Sequence, residues 1–385
     1  MLRNVDTLII GGGLQACALG ARLSYQGNDN FLIADPNPLL HSWVRGMSAQ
    51  GLEVLRTPYT AHISPDDNPA QMWEHAHPRS NPPGDARLSR PASADHFNAH
   101  AKSVISRFKL EDRHVRAWMH RLEHDDGSGF LAHLYGEQSQ ELIQAEKVVV
   151  AVGLGRPIMP QGPLDKRVMH SDAFDILDLD EYGGDTCVVG GGLTAGTIAV
   201  RLAEKTDVGR IVLACRGPLT VSQLEADPAW IPGQQLAENF ETMEWDEKAR
   251  QLRAARVGRG VTPDIWKELT SYVDDGTIEI KEGVEVTHWS ERGLQLYVPA
   301  VGASFDRIIC ATGYRQSVED LPFLGPILAR LDTTAGLPHV SSSFESTEIS
   351  GLFFMGKLGE LGGGPLTRNV PGARIAAARI AEALY

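Results

Sequence analysis

Short apolar, β-branched runs recur along this chain, and the most regular of them end in glycine. Residues 5–10 are such a run, closed by Gly11, Gly12 and Gly13 and followed by Leu14, Gln15 and Ala16. The spacing predicts a strand, a tight turn and a helix over 14–23. A second apolar run at 31–35 ends in Asp35 and Pro36. From 37 to 91 the pattern turns irregular and rich in Pro, His, Arg and Trp, too long for a simple connection in a compact domain. A helix is expected near 94–108, then alternating segments at 114–122 and 130–135 that read as an antiparallel meander. A buried strand over 146–153 closes this series in a small-residue turn at Gly153.

The same order then begins again. Residues 186–189 run into Gly190, Gly191 and Gly192, followed by Leu193, Thr194 and Ala195, and a helix is expected over 194–203. A strand over 210–216 ends in Arg216, strands are expected near 277–280 and 294–298, and the run 306–314 contains Thr312 and Gly313. The pattern closes with an apolar strand ending in Gly356 and a helix over 371–384. Pro371 suits a first helical position, where its missing N–H removes a donor that would be unpaired anyway.

These repeats predict an α/β chain of two Rossmann-like, three-layer dinucleotide-binding domains, the second inserted into the first, each with a small antiparallel meander. Residues 1–170 and 305–385 form the first and 171–304 the second. In each GxGxxA turn the first glycine makes the bend, the second lets backbone approach a pyrophosphate, and the third small residue lets the helix pack on the strand. Two such turns predict two dinucleotides held at once, the arrangement that hydride transfer between nicotinamide and flavin requires.

Composition narrows the classes. Of 385 residues, 42% are hydrophobic and 22% charged, which fits a globular enzyme of more than one core. A formal charge of −13 disfavours a phosphate-tracking nucleic-acid surface. The apolar runs fall short of membrane-spanning length. Met1 leads almost directly into a strand, leaving no room for a signal peptide, so a cytoplasmic location is expected. The 4 cysteines, at 17, 187, 215 and 310, form no CxxC pair and read as small core residues. Pairs His75/His77 and His120/His124, with His114, lack further ligands at recognised spacing, and no metal is expected.

The double fingerprint, the acid at Asp35, His41-Ser-Trp43, Gly46-Met47 and Ala311-Thr-Gly-Tyr314 resemble the two-dinucleotide-binding flavoprotein superfamily. Within it the chain resembles flavin-dependent monooxygenases of the N-hydroxylating and flavin-containing types. The inter-domain signature FxGxxxHxxx[FY] of the latter survives only in its second half, His170 to Phe174, with Leu164 and Lys166 where Phe and Gly would fall. The resemblance implies FAD at Gly11, Gly12, Gly13, Leu14, Gln15 and Ala16, with Asp35 on the adenosine ribose. It implies a second nucleotide at Gly190, Gly192, Leu193, Thr194 and Ala195. A cation at Arg216, where an acid would hold a ribose hydroxyl, favours the 2′-phosphate of NADPH. Trp43 and Met47 are expected near the flavin ring or as packing for the irregular insertion. His170 reads either as a nicotinamide-positioning group or as a buried cap. The helix beginning at Pro371 is expected to aim its positive end at the flavin.

The implied activity is NADPH reduction of flavin, addition of O2 at the flavin C4a, and transfer of one oxygen from the hydroperoxide to a small-molecule amine, sulfur or carbonyl. The catalytic group is the flavin itself, and no acid–base pair stands out. A reductase passing electrons to an acceptor without a redox disulfide is the second reading. A non-catalytic flavin-binding sensor is the third.

Overall fold

The computed structural model describes residues 2–79, 84, 88–137, 140–153, 155–181, 183–205, 208–230, 235–255 and 260–384. Two sheets organise it, the first mixed and the second parallel. In the first, His114–Val115, Phe31–Ala34, Leu2–Ile10 and Gln140–Val150 lie side by side. Val148, Val149 and Val150 take Leu352–Phe354 as a further parallel neighbour, while the earlier part of the same strand pairs antiparallel with Gly129–Gly136 and through it with Ala117–Asp125. The second sheet orders Val168–His170, Arg307–Cys310, Gly184–Val189, Val208–Ala214 and Ile278–Lys281, all parallel. A separate antiparallel sheet of Ser290–Arg292, Gln295–Val298 and Ala303–Phe305 covers one of its faces.

Alternation along the strands builds a core on each face, because successive side chains point to opposite sides. Ile9, Val149 and Phe353 face the helices Leu14–Tyr25 and Val370–Ala383, whereas Leu8, Ile10, Val148, Val150 and Phe354 face the meander. In the second sheet Val188, Ile211, Leu213 and Ile309 face the helix Leu193–Ala203, and Cys187, Val189, Val212 and Cys310 face Leu296, Val298 and Phe305. Burying each large apolar side chain contributes about 1.5–3 kcal/mol. The repeated three-layer architecture with a meander in each unit is therefore present.

Strand pairing ties the two units together at their borders. Val168–His170 and Arg307–Cys310 pair with each other and with strands of the second sheet, so cuts at 170/171 and 304/305 would run through it. The chain crosses between units through an antiparallel ribbon of Arg156–Pro157 and Tyr314–Arg315. The inserted helices Gln235–Glu241 and Trp245–Ala254 also leave the second unit: Trp230, Phe240, Ala249 and Leu252 share a core with Leu324, Ile327, Leu358 and Leu361 of the first. The irregular stretch 37–91 holds more order than its pattern predicts, with helices His41–Gln50 and Gln71–Ala76 and the strand Val54–Pro58 paired to Pro91–Ser93. The last helix starts at Val370, capped by Asn369, whose side chain accepts from Gly372 N; Pro371 is one residue inside the start. Among the described residues no helix is long and apolar enough to cross a membrane.

Two paired glycine turns and the candidate nucleotide sites

The first turn follows Leu2–Ile10. Gly11 has φ +108°, and a Cβ there would lie 2.7 Å from the carbonyl oxygen of Ala151. A Cβ on Gly12 would meet that of Asp35 at 2.8 Å. The Asp35 carboxylate accepts from Gly12 N and Asn37 N, both at 2.7 Å, so it fixes the turn while keeping lone pairs for a further donor. Gly13 is the N-cap of Leu14–Tyr25 with no side chain capping it, and apart from its chain neighbours nothing stands within 4 Å of where its Cβ would be. Unpaired N–H groups and the positive end of the helix dipole thus face open space, which suits a pyrophosphate. Ala16 is fully buried against the sheet, and Leu14 is nearly so.

Gln15 links this turn to the end of the chain. Its Nε2 donates to Thr367 O at 3.0 Å, its Oε1 is buried without a partner, and Gly356 approaches it closely enough that a Cβ would sit 3.5 Å from Gln15 Cγ. Gly11, Gly12, Gly13, Gln15, Asp35 and Gly356 therefore meet at one end of the first sheet, with Pro36 half-buried beside Asp35. Gly153 lies past the strand Gln140–Val150, and its carbonyl accepts from Gln316 Nε2 at 2.7 Å. The N–H groups of the last helix are less free than expected, because Asn369 engages one of them, and Pro371 is half-buried. Trp43 and Met47 lie on His41–Gln50 in the helix-side core; the Trp43 ring packs on Phe97 at 5.4 Å, and its Nε1 is buried without a partner.

The second turn repeats the first more tightly. Gly190 has φ +147°, and a Cβ would come within 2.4 Å of Ala311 O. Gly192 is the uncapped N-cap of Leu193–Ala203, with Leu193 and Thr194 half-buried and Ala195 fully buried. One residue on, a Cβ on Gly196 would strike Val261 Cγ1 at 2.4 Å, so this helix and the segment before Pro263–Asp274 pack at glycine distance. Arg216 follows Cys215, whose Cβ lies 3.6 Å from the position of a Gly191 Cβ. Its side chain is 65% exposed and only loosely paired with Glu285 at 3.5 Å. Thr312 and Gly313 sit on the crossover ribbon: Thr312 Oγ1 donates to Ile158 O, and Gly313 O accepts from Ile158 N at 3.0 Å and His170 Nε2 at 3.1 Å. His170 is buried, its Nδ1 lies 3.0 Å from Asp172 Oδ1, and its ring meets Tyr314 edge-on at 4.7 Å. These contacts place it beside the ribbon.

All four thiols are free and buried. Burial pushes Cys187 and Cys310 up to about 12 and Cys215 to about 11, so none is a ready thiolate.

A buried histidine pair lies outside both turns, where the sequence offered no signal beyond an irregular, histidine-rich run. His62 and His100 are 0% and 2% exposed, with ring centroids 5.3 Å apart and an unpartnered Nδ1 on each. Burial, then the neighbouring His62 and His75, brings His100 from 6.5 down to about 3, against a weaker upward pull from Asp66. A depressed histidine means that below pH 6.5 the unfolded chain takes up a proton the folded one refuses. This contribution is full above that pH and is lost toward about 3, with a slope of up to about 1.4 kcal/mol per pH unit. Thermal melts from neutral to mildly acid pH are expected to fall, and His100→Gln to flatten the fall; an unchanged slope refutes the assignment.

No family model and no curated protein sequence matches the chain. Solved structures do. The ornithine N-hydroxylase of Kutzneria sp. 744, described with reduced FAD, NADP+ and L-ornithine, superposes with TM-score 0.80 at 16% identity over 99% of both chains. The chain shares that fold. An ornithine hydroxylase from Pseudomonas aeruginosa gives 0.78 at 17% identity over 99% of this chain and 98% of that one. The cadaverine monooxygenase of Erwinia amylovora, bound to FAD, gives 0.79 at 15% over 99% and 94%. A bacillithiol disulfide reductase from Bacillus cereus aligns over 99% of both chains at 17% identity with a lower TM-score of 0.65.

Proposed function

We propose that the chain is an FAD-dependent, NADPH-consuming monooxygenase that transfers one oxygen atom to a small-molecule nucleophile, an amine nitrogen before sulfur or carbonyl. The observation that carries the reading is the pair of uncapped, glycine-bounded helix starts, one on each sheet of a single chain. Its support is the full-length fold shared with hydroxylases of ornithine and cadaverine, together with the burial of every thiol. The balance is NADPH, H+, O2 and R-NH2 giving NADP+, H2O and R-NHOH.

The residues present fit FAD at the first turn: open N–H groups at Gly13, a carboxylate at Asp35, and a buried, unpartnered Gln15 Oε1 that asks for a donor. Gly190, Gly192, Thr194 and Ala195 would hold NADPH, with Arg216 on its 2′-phosphate. Bound FAD supplies the two-electron carrier that NADPH reduces and through which O2 is activated. The chain orients the two nucleotides, excludes water and sets the electrostatics around them.

Incubation of FAD-loaded protein with NADPH, 18O2 and a panel of primary amines is expected to yield a hydroxylamine carrying one 18O. NADPH oxidation yielding only hydrogen peroxide with every amine, sulfide and ketone tested, together with faster electron transfer to quinones, would establish the reductase instead. No NADPH oxidation at all would establish a non-catalytic binder.

Arg216→Ala is expected to raise the KM for NADPH about tenfold, corresponding to about 1.4 kcal/mol of charge-assisted bonding. The KM for NADH should change less than twofold. An unaltered NADPH preference makes Arg216 a solvated surface residue.

A further inference from the structure

Residues 51–56 form a ledge on the first unit that the second unit grips at both ends. Gly51, with φ +64°, closes His41–Gln50, the helix that carries Trp43 and Met47. Arg201, on the helix that begins at Gly192, donates from Nε to Gly51 O at 3.2 Å. The contact is tight, since a Cβ on Gly51 would lie 3.2 Å from Arg201 Cγ and 2.5 Å from Ile176 Cδ1. At the other end Arg56 donates from its two terminal nitrogens to Ser222 O, at 2.6 Å, and to Gly260 O. Gln223 Nε2 returns a bond to Arg56 O at 3.2 Å. The two carbonyls that Arg56 grips belong to segments already bridged, Ser222 N to Val261 O at 3.0 Å and Val261 N to Thr220 O at 2.9 Å.

We propose that Arg56 and Arg201 are positioning residues, a two-point latch that sets the second nucleotide unit against the flavin-side helix His41–Gln50. The inference rests on the function proposed above. Three facts support it. The backbone passes between the units through the short ribbon of Arg156–Pro157 and Tyr314–Arg315 and again around the inserted helices packed on the first unit, and neither crossing lies at the ledge, where the two arginines supply the polar contacts. Arg201 is 8% exposed and compensated by Glu204 and Glu268, so the cost of burying its charge is met within the second unit while its spare donor reaches across. Both arginines bond to backbone carbonyls, whose positions are fixed by the fold, so the latch has little slack. Hydride transfer needs donor and acceptor about 3–3.5 Å apart, and a misplacement of about 1 Å can cost about 100-fold.

The test compares wild type with Arg56→Ala and Arg56→Lys. Hydrogen exchange at the Ser222 and Val261 amides, measured with and without FAD, is expected to quicken about tenfold or more in Arg56→Ala. In anaerobic stopped flow the limiting rate constant of flavin reduction is expected to fall 10- to 100-fold. The Kd for NADPH and the FAD content should stay within about threefold of wild type. Arg56→Lys, which keeps one donor, should recover part of the rate, a rescue that mere loss of packing would not show. If Arg56→Ala fails to fold, Arg56→Lys and Gln223→Ala carry the same comparison.

Unchanged exchange overturns the latch, as does faster exchange with an unchanged reduction rate. A wild type that NADPH does not reduce overturns the proposed function instead, and the exchange measurement then decides the latch alone.

Discussion

Gly11→Ala is expected to purify without FAD. The substitution acts twice at one point. An alanine held at φ +108° costs about 1–3 kcal/mol in backbone strain. Its Cβ would also lie 2.7 Å from Ala151 O, a backbone atom that cannot swing aside, because Ala151 N is bonded to Ile10 O at 2.8 Å in continuation of the sheet. Relief therefore requires the turn itself to move. The turn is what aims Gly13 and the open end of Leu14–Tyr25 at the phosphate position, so binding suffers more than folding. The expected result is a 450 nm to 280 nm absorbance ratio below about a tenth of wild type, with a melting temperature lower by about 5 °C or more. Normal FAD content with an affinity within twofold of wild type would refute the assignment of this turn.

The glycine turns, the strands and helices that flank them and the repeated meanders were legible because each rests on a local rule. A bend at positive φ asks for glycine, and an alternating strand declares two faces. What the pattern could not declare is which core an apolar face joins. Trp230, Phe240 and Leu252 read as part of the inserted unit by position, yet they bury against Leu324 and Leu361 of the first. Val168–His170 lies at the edge of the second sheet, a pairing that three residues do not declare by themselves. The helix His41–Gln50 was missed because Pro38 precedes it and Gly46 interrupts it, both breaker signals, and a left-handed Leu40 starts it. The candidate sites divide the same way. Residues defined by a turn, such as Gly12 and Asp35, fall together, while Arg56, His100 and Gln15 act through partners tens or hundreds of positions away.

Gly190→Ala is expected to give the complementary phenotype: protein that retains FAD and that dithionite bleaches, but that NADPH reduces at least 100-fold more slowly than wild type. The obstruction is more severe than at Gly11, because the new Cβ would stand 2.4 Å from Ala311 O. That carbonyl is held in place by Ala311 N bonding to Val189 O at 2.8 Å, and it leads directly into Thr312, Gly313 and the crossover ribbon. Opening the turn would tilt the start of Leu193–Ala203 away from the phosphate position and disturb the ribbon together. Cys215 Sγ donates to Gly190 O at 3.3 Å and further ties the turn. Anaerobic mixing with NADPH, followed at 450 nm, measures the effect. Reduction within about threefold of wild type would mean that the second turn does not hold the electron donor. The two alanine variants also decide the direction of electron flow. If the first turn held NADPH and the second FAD, the phenotypes would exchange, Gly190→Ala emerging colourless and Gly11→Ala yellow but unreduced.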